Sequence, residues 1–248
     1  MDIEKDFIQR VLCCILTVHL CAGHVQSGQY LWPAAAFMGH YLQKNWDNLK
    51  SPRVLELGAG VGLAGILASK LVGTEQVVLS DYDHGSLQLL ADNIELNKAD
   101  NDDCEVTVEF LEWGEKRCSA IPFNNIGTAT NGEQQIDAIA ENSTKLTSEL
   151  GNGHAECIDE TFPLLLGTDL LYCKEIVEPL LKSAKMLLGS SKTSCFILVS
   201  SFDPGEDVAI KIDACCRSMG LIKEVIIELD REENTCRVEH FKHLDTVS

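Results

Sequence analysis

The most constraining feature of this chain is a strand that runs straight into glycines. Arg53 to Leu57 reads RVLEL, a short apolar run, and GAGVGLAG follows at once. Leu63, Ile66 and Leu67 then recur at helical spacing, with Lys70 at the next position. Strand, glycine turn and helix in that order predict an α/β unit whose backbone comes close to something at the turn.

The rest of the chain repeats the unit. Trp32-Pro33 opens a helix, since a proline at the first helical position loses no needed N–H; Phe37, Met38, Tyr41 and Leu42 then share a side. Gln76–Ser80 is a second strand ending on Asp81, and Leu87, Leu90, Ala91 and Ile94 mark the next helix. Glu105–Leu111 alternates as a third strand, with Trp113-Gly114 beyond it. Phe162–Gly167 reads as a buried strand ending on Thr168-Asp169, and Ile176, Leu180, Ala184 and Leu187 line a helix that Gly189 stops. Ser194–Ser200 is a fifth strand, and a helix through Val208, Ile212 and Met219 ends at Gly220. Glu224–Leu229 and Cys236–Phe241 read as an antiparallel pair. Alternation of this kind predicts a doubly wound, mostly parallel sheet with helices on both faces and a C-terminal antiparallel hairpin.

Two stretches fall outside the pattern. Met1–Ser27 is an atypical N-terminal segment, leaving 28–248 as the main domain. Its apolar run from Val11 to Ala22 is too short to span a membrane, and the acidic MDIEKD before it disfavours a signal peptide. From Cys118 to Glu160 no apolar period survives; Gly132 to Glu160 holds seven acidic residues and one lysine, which predicts a flexible acidic insertion over 118–160.

Charge narrows the partners. A formal net of −18 argues against nucleic acid, whose phosphates attract the opposite sign, and favours a basic protein surface or simple solubility. The 11 cysteines, an odd number with no C-x-x-C, fit neither a disulfide framework nor a zinc site, and the seven histidines show no metal-ligand spacing. Reduced thiols in the cytoplasm, or the nucleus, are the expectation. No metal, no membrane and no nucleic acid are expected, and the chain is expected to be a monomer.

Glycines after a strand, with an acid closing the next strand, describe a site for an adenosine-containing cofactor. Gly60-x-Gly62-x-x-Gly65, with Asp81 about 20 residues on, also fits the dinucleotide fingerprint, so the glycines leave an NAD-dependent oxidoreductase open. Glu56 favours S-adenosyl-L-methionine, because an acid before the first glycine can meet that cofactor's cationic amino-acid end.

VLELGAGVGLAG, the SDYD after the second strand, the EWG after the third and GTDLLY after the fourth resemble the seven-strand protein-lysine methyltransferases, in particular the non-histone group with an Asp-x-x-Tyr motif. The upstream Tyr30-Leu31-Trp32-Pro33-Ala34-Ala35 is similar to the Trp-x-Ala segment of that group. The resemblance covers roughly Gly28 to Leu244 apart from the insertion, and its glycine motif is the least specific part. It implies a Rossmann-like class I fold, S-adenosyl-L-methionine as cofactor, and transfer of a methyl group to a lysine of a non-histone protein. By resemblance, Trp32 and Trp113 contact the cofactor, Gly58, Ala59 and Gly60 give it backbone, Asp81 holds its ribose, and Thr168 lies against it where relatives often carry Ala. Asp169 and Tyr172 form the mouth of a lysine channel, with Asp169 assigned to positioning because a free aspartate, near about 3.9, is a weak base. Each residue has a plainer alternative: Trp32 and Trp113 as core aromatics, Asp169 as a cap of the helix after it, Tyr172 as a surface aromatic. A catalytically inactive interaction protein that keeps the fold is the other class left open, since Met1–Ser27 does not resemble the group's usual opening.

Overall fold

The computed structural model describes residues 28, 30–98, 103–114, 118–120, 161–230 and 235–246. In chain order they form α1 (Pro33–Leu49), β1 (Arg53–Leu57), α2 (Leu63–Ser69), β2 (Gln76–Asp81), α3 (His84–Asn97), β3 (Glu105–Leu111) and β4 (Cys118–Ala120). After these come β5 (Leu164–Thr168), α4 (Val177–Leu187), β6 (Cys195–Ser200), α5 (Glu206–Met219), β7 (Leu221–Ile227) and β8 (Arg237–His243).

The strands make one sheet in the order β4-β3-β2-β1-β5-β6-β8-β7. From β3 to β6 neighbours pair in parallel, while β4 is antiparallel to β3 and β8 is antiparallel to both β6 and β7. The chain builds outward from β1 through β2 to β3, then returns to the other side of β1 as β5. That reversal leaves a crevice beyond the carboxyl ends of β1 and β5, where open α/β sheets bind ligands.

Period-two alternation sorts the strand residues into two cores. Val54, Leu79, Leu164, Leu166 and Ile197 pack under α1, α2 and α3; Leu55, Leu57, Leu165, Phe196 and Leu198 pack under α4 and α5. Burial on both faces explains why these strands read as unbroken apolar runs. In α1, Ala34, Met38 and Leu42 are fully buried, so this helix closes one side of the crevice.

Three boundaries differ from the sequence reading. The strand expected from Phe162 begins at Leu164, because Pro163 has no N–H to give a ladder; Phe162 instead forms an isolated bridge with Leu188. The final pair begins at Leu221, directly after Gly220 turns the chain in the left-handed region. Cys118–Ala120 adds a short eighth strand where the insertion was expected to open. Residues 121–160 and 1–27 lie outside the described residues. Among the described residues, no helix is long and apolar enough to cross a membrane, and no cluster of His, Cys, Asp and Glu suits a metal ion.

Candidate active site

A cavity of about 350 Å³ opens at the crevice. Its floor is the loop after β1. Gly58 sits there at φ 59°, and a Cβ on it would stand 2.8 Å from Leu170 and 2.9 Å from Trp113, so only glycine lets the loop pass beneath that indole. The loop is pinned from three sides. Ala59 N–H donates to the Ser80 carbonyl at 2.8 Å, Gly60 N–H donates to Asp81 Oδ2 at 3.0 Å, and Asn93 Nδ2 donates to the Val61 carbonyl at 2.9 Å.

Asp81 stands at the end of β2 with most of its acceptor capacity in use. Oδ1 accepts from the N–H groups of Tyr82 (2.8 Å) and Asp83 (3.0 Å). Burial raises the Asp81 pKa above the usual carboxylate value, and these backbone donors oppose that rise. Among the described residues Oδ2 has only the Gly60 N–H, so one acceptor position there remains for a ligand hydroxyl.

Asp169 arrives from the other side of β1, one residue past β5. It is the one non-glycine described residue at positive φ, 53°, and it is 8% exposed. Ser201 grips it with two donors: its N–H to Oδ1 at 2.7 Å and its hydroxyl to Oδ2 at 2.8 Å. A longer contact of 3.4 Å runs from Ala34 N–H, in the first turn of α1, to Oδ2. Asp169 therefore does cap a helix, but α1 rather than the one that follows it. The N-cap residue of α1, Trp32, has no side-chain acceptor of its own to offer.

Most of the residues singled out from sequence line this one cavity. Gly58, Ala59, Gly60, Asp81 and Trp113 line it together with Trp32, Thr168, Asp169 and Tyr172. Trp32 and Tyr172 are 43% and 62% exposed, so both are rim rather than core. Burial, then the neighbouring Tyr82, raises the Tyr172 phenol pKa. The exposed aromatics of the described chain (Tyr30, Trp32, Tyr82, Tyr172) all stand at this mouth.

Glu56 is the exception. It does not line the cavity; it is 1% exposed, beneath the loop. Its register partners Leu79 and Leu166 belong to the core under α2, and its side chain follows them to that face. There Oε2 accepts from Gly65 N–H at 2.7 Å, in the first turn of α2, while Oε1 has no partner among the described residues. Gly62 caps that helix at φ 82° and offers no side chain, so Glu56 does its work from nine residues back. Gly65 leaves the room: a Cβ there would stand 2.7 Å from the carboxylate and 2.1 Å from Leu79. Burial pushes the Glu56 pKa up to about 8, against the opposing pull of the Gly65 N–H. The expected direct meeting of this carboxylate with a cofactor's cationic end is thus not what the geometry offers.

Three contributors were absent from the sequence reading. Asn93 is fully buried on α3, three residues after Leu90 and on the same face; an amide in that apolar spacing is a signal that was there to be read. Ser201 and Phe202 follow β6 with nothing to mark them, and their part depends on β6 lying beside β5.

Residues 15–126 match the family described as lysine methyltransferase. A protein N-terminal and lysine N-methyltransferase, EFM7, from Cryptococcus neoformans is 27% identical over 195 residues, 78% of this chain and 52% of its own. The histone-arginine methyltransferase METTL23 of Xenopus laevis is 40% identical over 90 residues, 36% of this chain and 37% of its own. The chain spans 26% and 52% of the length of the first curated relatives it matches. Among solved structures, a methyltransferase from Pyrococcus furiosus superposes with a TM-score of 0.51 at 15% identity, covering 94% of this chain and 95% of that one. Sheet order and superposition agree that the chain has the fold of the Rossmann-like methyltransferases, and its residues 15–126 are similar to the lysine methyltransferase family.

Proposed function

We propose that this protein is an S-adenosyl-L-methionine-dependent methyltransferase acting on a lysine side chain of a non-histone protein. The observation that carries the reading is the single cavity shared by Asp81, the last residue of β2, and Asp169, past β5. An adenosine cofactor fits the residues present. The remaining acceptor position on Asp81 suits a ribose hydroxyl, the indole of Trp113 over Gly58 suits a flat heterocycle, and Ala59 and Gly60 bring backbone to the same wall. When bound, this cofactor supplies a methyl group on a sulfonium, already activated for transfer.

The residues of the chain then have mainly positioning to do. Asp169, which lines the same cavity as the exposed Trp32 and Tyr172, receives the arriving ammonium and aligns it. A lysine amine, with a free pKa of about 10.4, sheds its proton more readily once it leaves water, because desolvation disfavours the charged form. Thr168, the last residue of β5, lines the cavity beside Asp169. Glu56 acts indirectly, by holding the start of α2 under the glycine loop.

A net charge of −18 suits a basic protein partner. We place the protein in the reducing cytoplasm or the nucleus: Cys195, Cys216 and Cys236 are buried thiols whose pKa values burial pushes up to about 12, 11 and 11, which makes them inert packing groups there.

Incubation of the full chain with methyl-labelled cofactor and a cell lysate tests the reading. Label is expected on lysine of one or a few protein bands, and S-adenosylhomocysteine, not NADH, is expected to bind by calorimetry. Binding of NADH alone, or a folded protein that labels nothing, overturns it.

A further inference from the structure

Asp169 has a neighbour that the reaction as described does not use. Ser201 places two donors from one residue on the two oxygens of one carboxylate, at 2.7 and 2.8 Å. The next residue, Phe202, lines the cavity, so the grip is made at the edge of the site. Asp169 is fixed from its backbone as well: its N–H donates to the Val199 carbonyl at 2.9 Å, and its φ of 53° is one that an L-residue adopts only when its surroundings insist.

A carboxylate has roughly four lone-pair positions, two on each oxygen. Ser201 takes one on each, and Ala34 N–H takes the second on Oδ2. Among the described residues, what is left is one position on Oδ1. An alkyl ammonium needs only that. A guanidinium presents a planar fork and binds best when both oxygens are open to it side by side.

We propose that Ser201 is a positioning residue which, by clamping both oxygens of Asp169, leaves a single acceptor position and so sets the site for an amine rather than a guanidinium. The inference rests on the proposed lysine transfer and deepens it by naming what excludes arginine. That exclusion matters in a group of relatives that includes both lysine and arginine methyltransferases.

The test uses the full chain saturated with S-adenosylhomocysteine and two probes, n-butylammonium and n-butylguanidinium, titrated by NMR line shifts. The unaltered protein is expected to bind the ammonium at least about fivefold more tightly than the guanidinium. Ser201→Ala, which frees one lone pair and lets the carboxylate turn, is expected to lose about tenfold in ammonium affinity and most of that preference. Ser201→Thr keeps the hydroxyl and should stay within about threefold of the unaltered protein. Affinity for S-adenosylhomocysteine should hold in both variants, which separates loss of aim from loss of fold. A preference for guanidinium in the unaltered protein, or an undiminished ammonium preference in Ser201→Ala, overturns the proposal. If the ammonium preference and its loss in Ser201→Ala are seen while no lysine is labelled in the lysate, the clamp stands and the lysine transfer falls. If lysine is labelled and Ser201→Ala labels it at the original rate, the clamp alone falls.

Discussion

Two acids on neighbouring strands have opposite fates. Glu56 on β1 and Asp169 after β5 both accept an N–H from the first turn of a helix, Gly65 in one case and Ala34 in the other. Glu56 is shut below the loop, and Asp169 opens onto the cavity. The difference is one of position along the strand. Glu56 is the penultimate residue of β1, still inside the ladder, so the alternation of the sheet assigns it to a face and that face is core. Asp169 comes one residue after β5, where the backbone has left the ladder and turned into the left-handed region, and the side chain swings to the crevice. At Glu56 the ladder holds the acid to the core face and it braces the site; at Asp169 the ladder has ended and the acid enters the site.

The largest effect that can break this comparison is a pH effect on stability. Glu56 rises from 4.5 in its ordinary state to about 8 in the fold. Below about 4.5 folded and unfolded chains both carry the proton, and the favourable contribution is fully present. Between the two values only the folded chain holds it, so stability falls as pH rises and the contribution is gone above about 8, a loss on the order of 5 kcal/mol. His240 works against this at the acid end. Burial holds it at about 4, below its ordinary 6.5, so its contribution is present above 6.5 and lost as pH falls through 4. Glu56→Gln keeps an oxygen for Gly65 N–H and removes the titration. Denaturant unfolding between pH 6.5 and 8, where His240 adds only a few tenths of a kcal/mol in the opposite sense, is expected to show a decline of about 1–2 kcal/mol in the unaltered protein and no decline in the variant. An equal slope in both would mean that Glu56 is ionised in the fold, and the comparison would fail.

The second test moves to the open acid. Asp169→Asn tolerates the positive φ and keeps one oxygen for Ser201, so the fold is expected to survive. Methyl transfer should fall by about 100-fold while S-adenosylhomocysteine affinity stays within about threefold, because the loss is of acceptor alignment and charge. A variant that transfers at the original rate would return Asp169 to a bracing role like that of Glu56.

The contrast also marks what the sequence could and could not disclose. The repeated strands and helices were legible because burial on both faces writes β1, β5 and β6 as plain apolar runs and the helices as 3.6-residue stripes. The same double burial hid the direction of Glu56. With Val54, Leu55 and Leu57 all at 0% exposure, nothing in RVLEL says which face the acid takes. Asp81 and Asp169 were legible because each ends a strand. Ser201 was not, because its partner is 32 residues away and the contact exists only once β6 lies beside β5.

The smallest effect comes from a third acid, and it shows how far sequence separation governs both legibility and cost. Asp83 caps α3 locally: Oδ2 accepts from Ser86 N–H at 2.8 Å and from its hydroxyl at 3.0 Å, three residues on. It is half-buried, so water can reach the donors that its removal would expose. Asp83→Ala is expected to cost about 1 kcal/mol, which for a chain of this size lowers the melting temperature by about 2–4 °C. The Glu56 and Asp169 bonds instead join segments 9 and 135 residues apart, between groups that are buried in the fold. A local cap holds one helix end, and solvent can stand in for it. A distant one holds two elements together, and nothing replaces it. A calorimetric loss well above 4 °C for Asp83→Ala would show that α3, too, is fastened by more than its own first turn, and the distinction between local and distant acids would have to be redrawn.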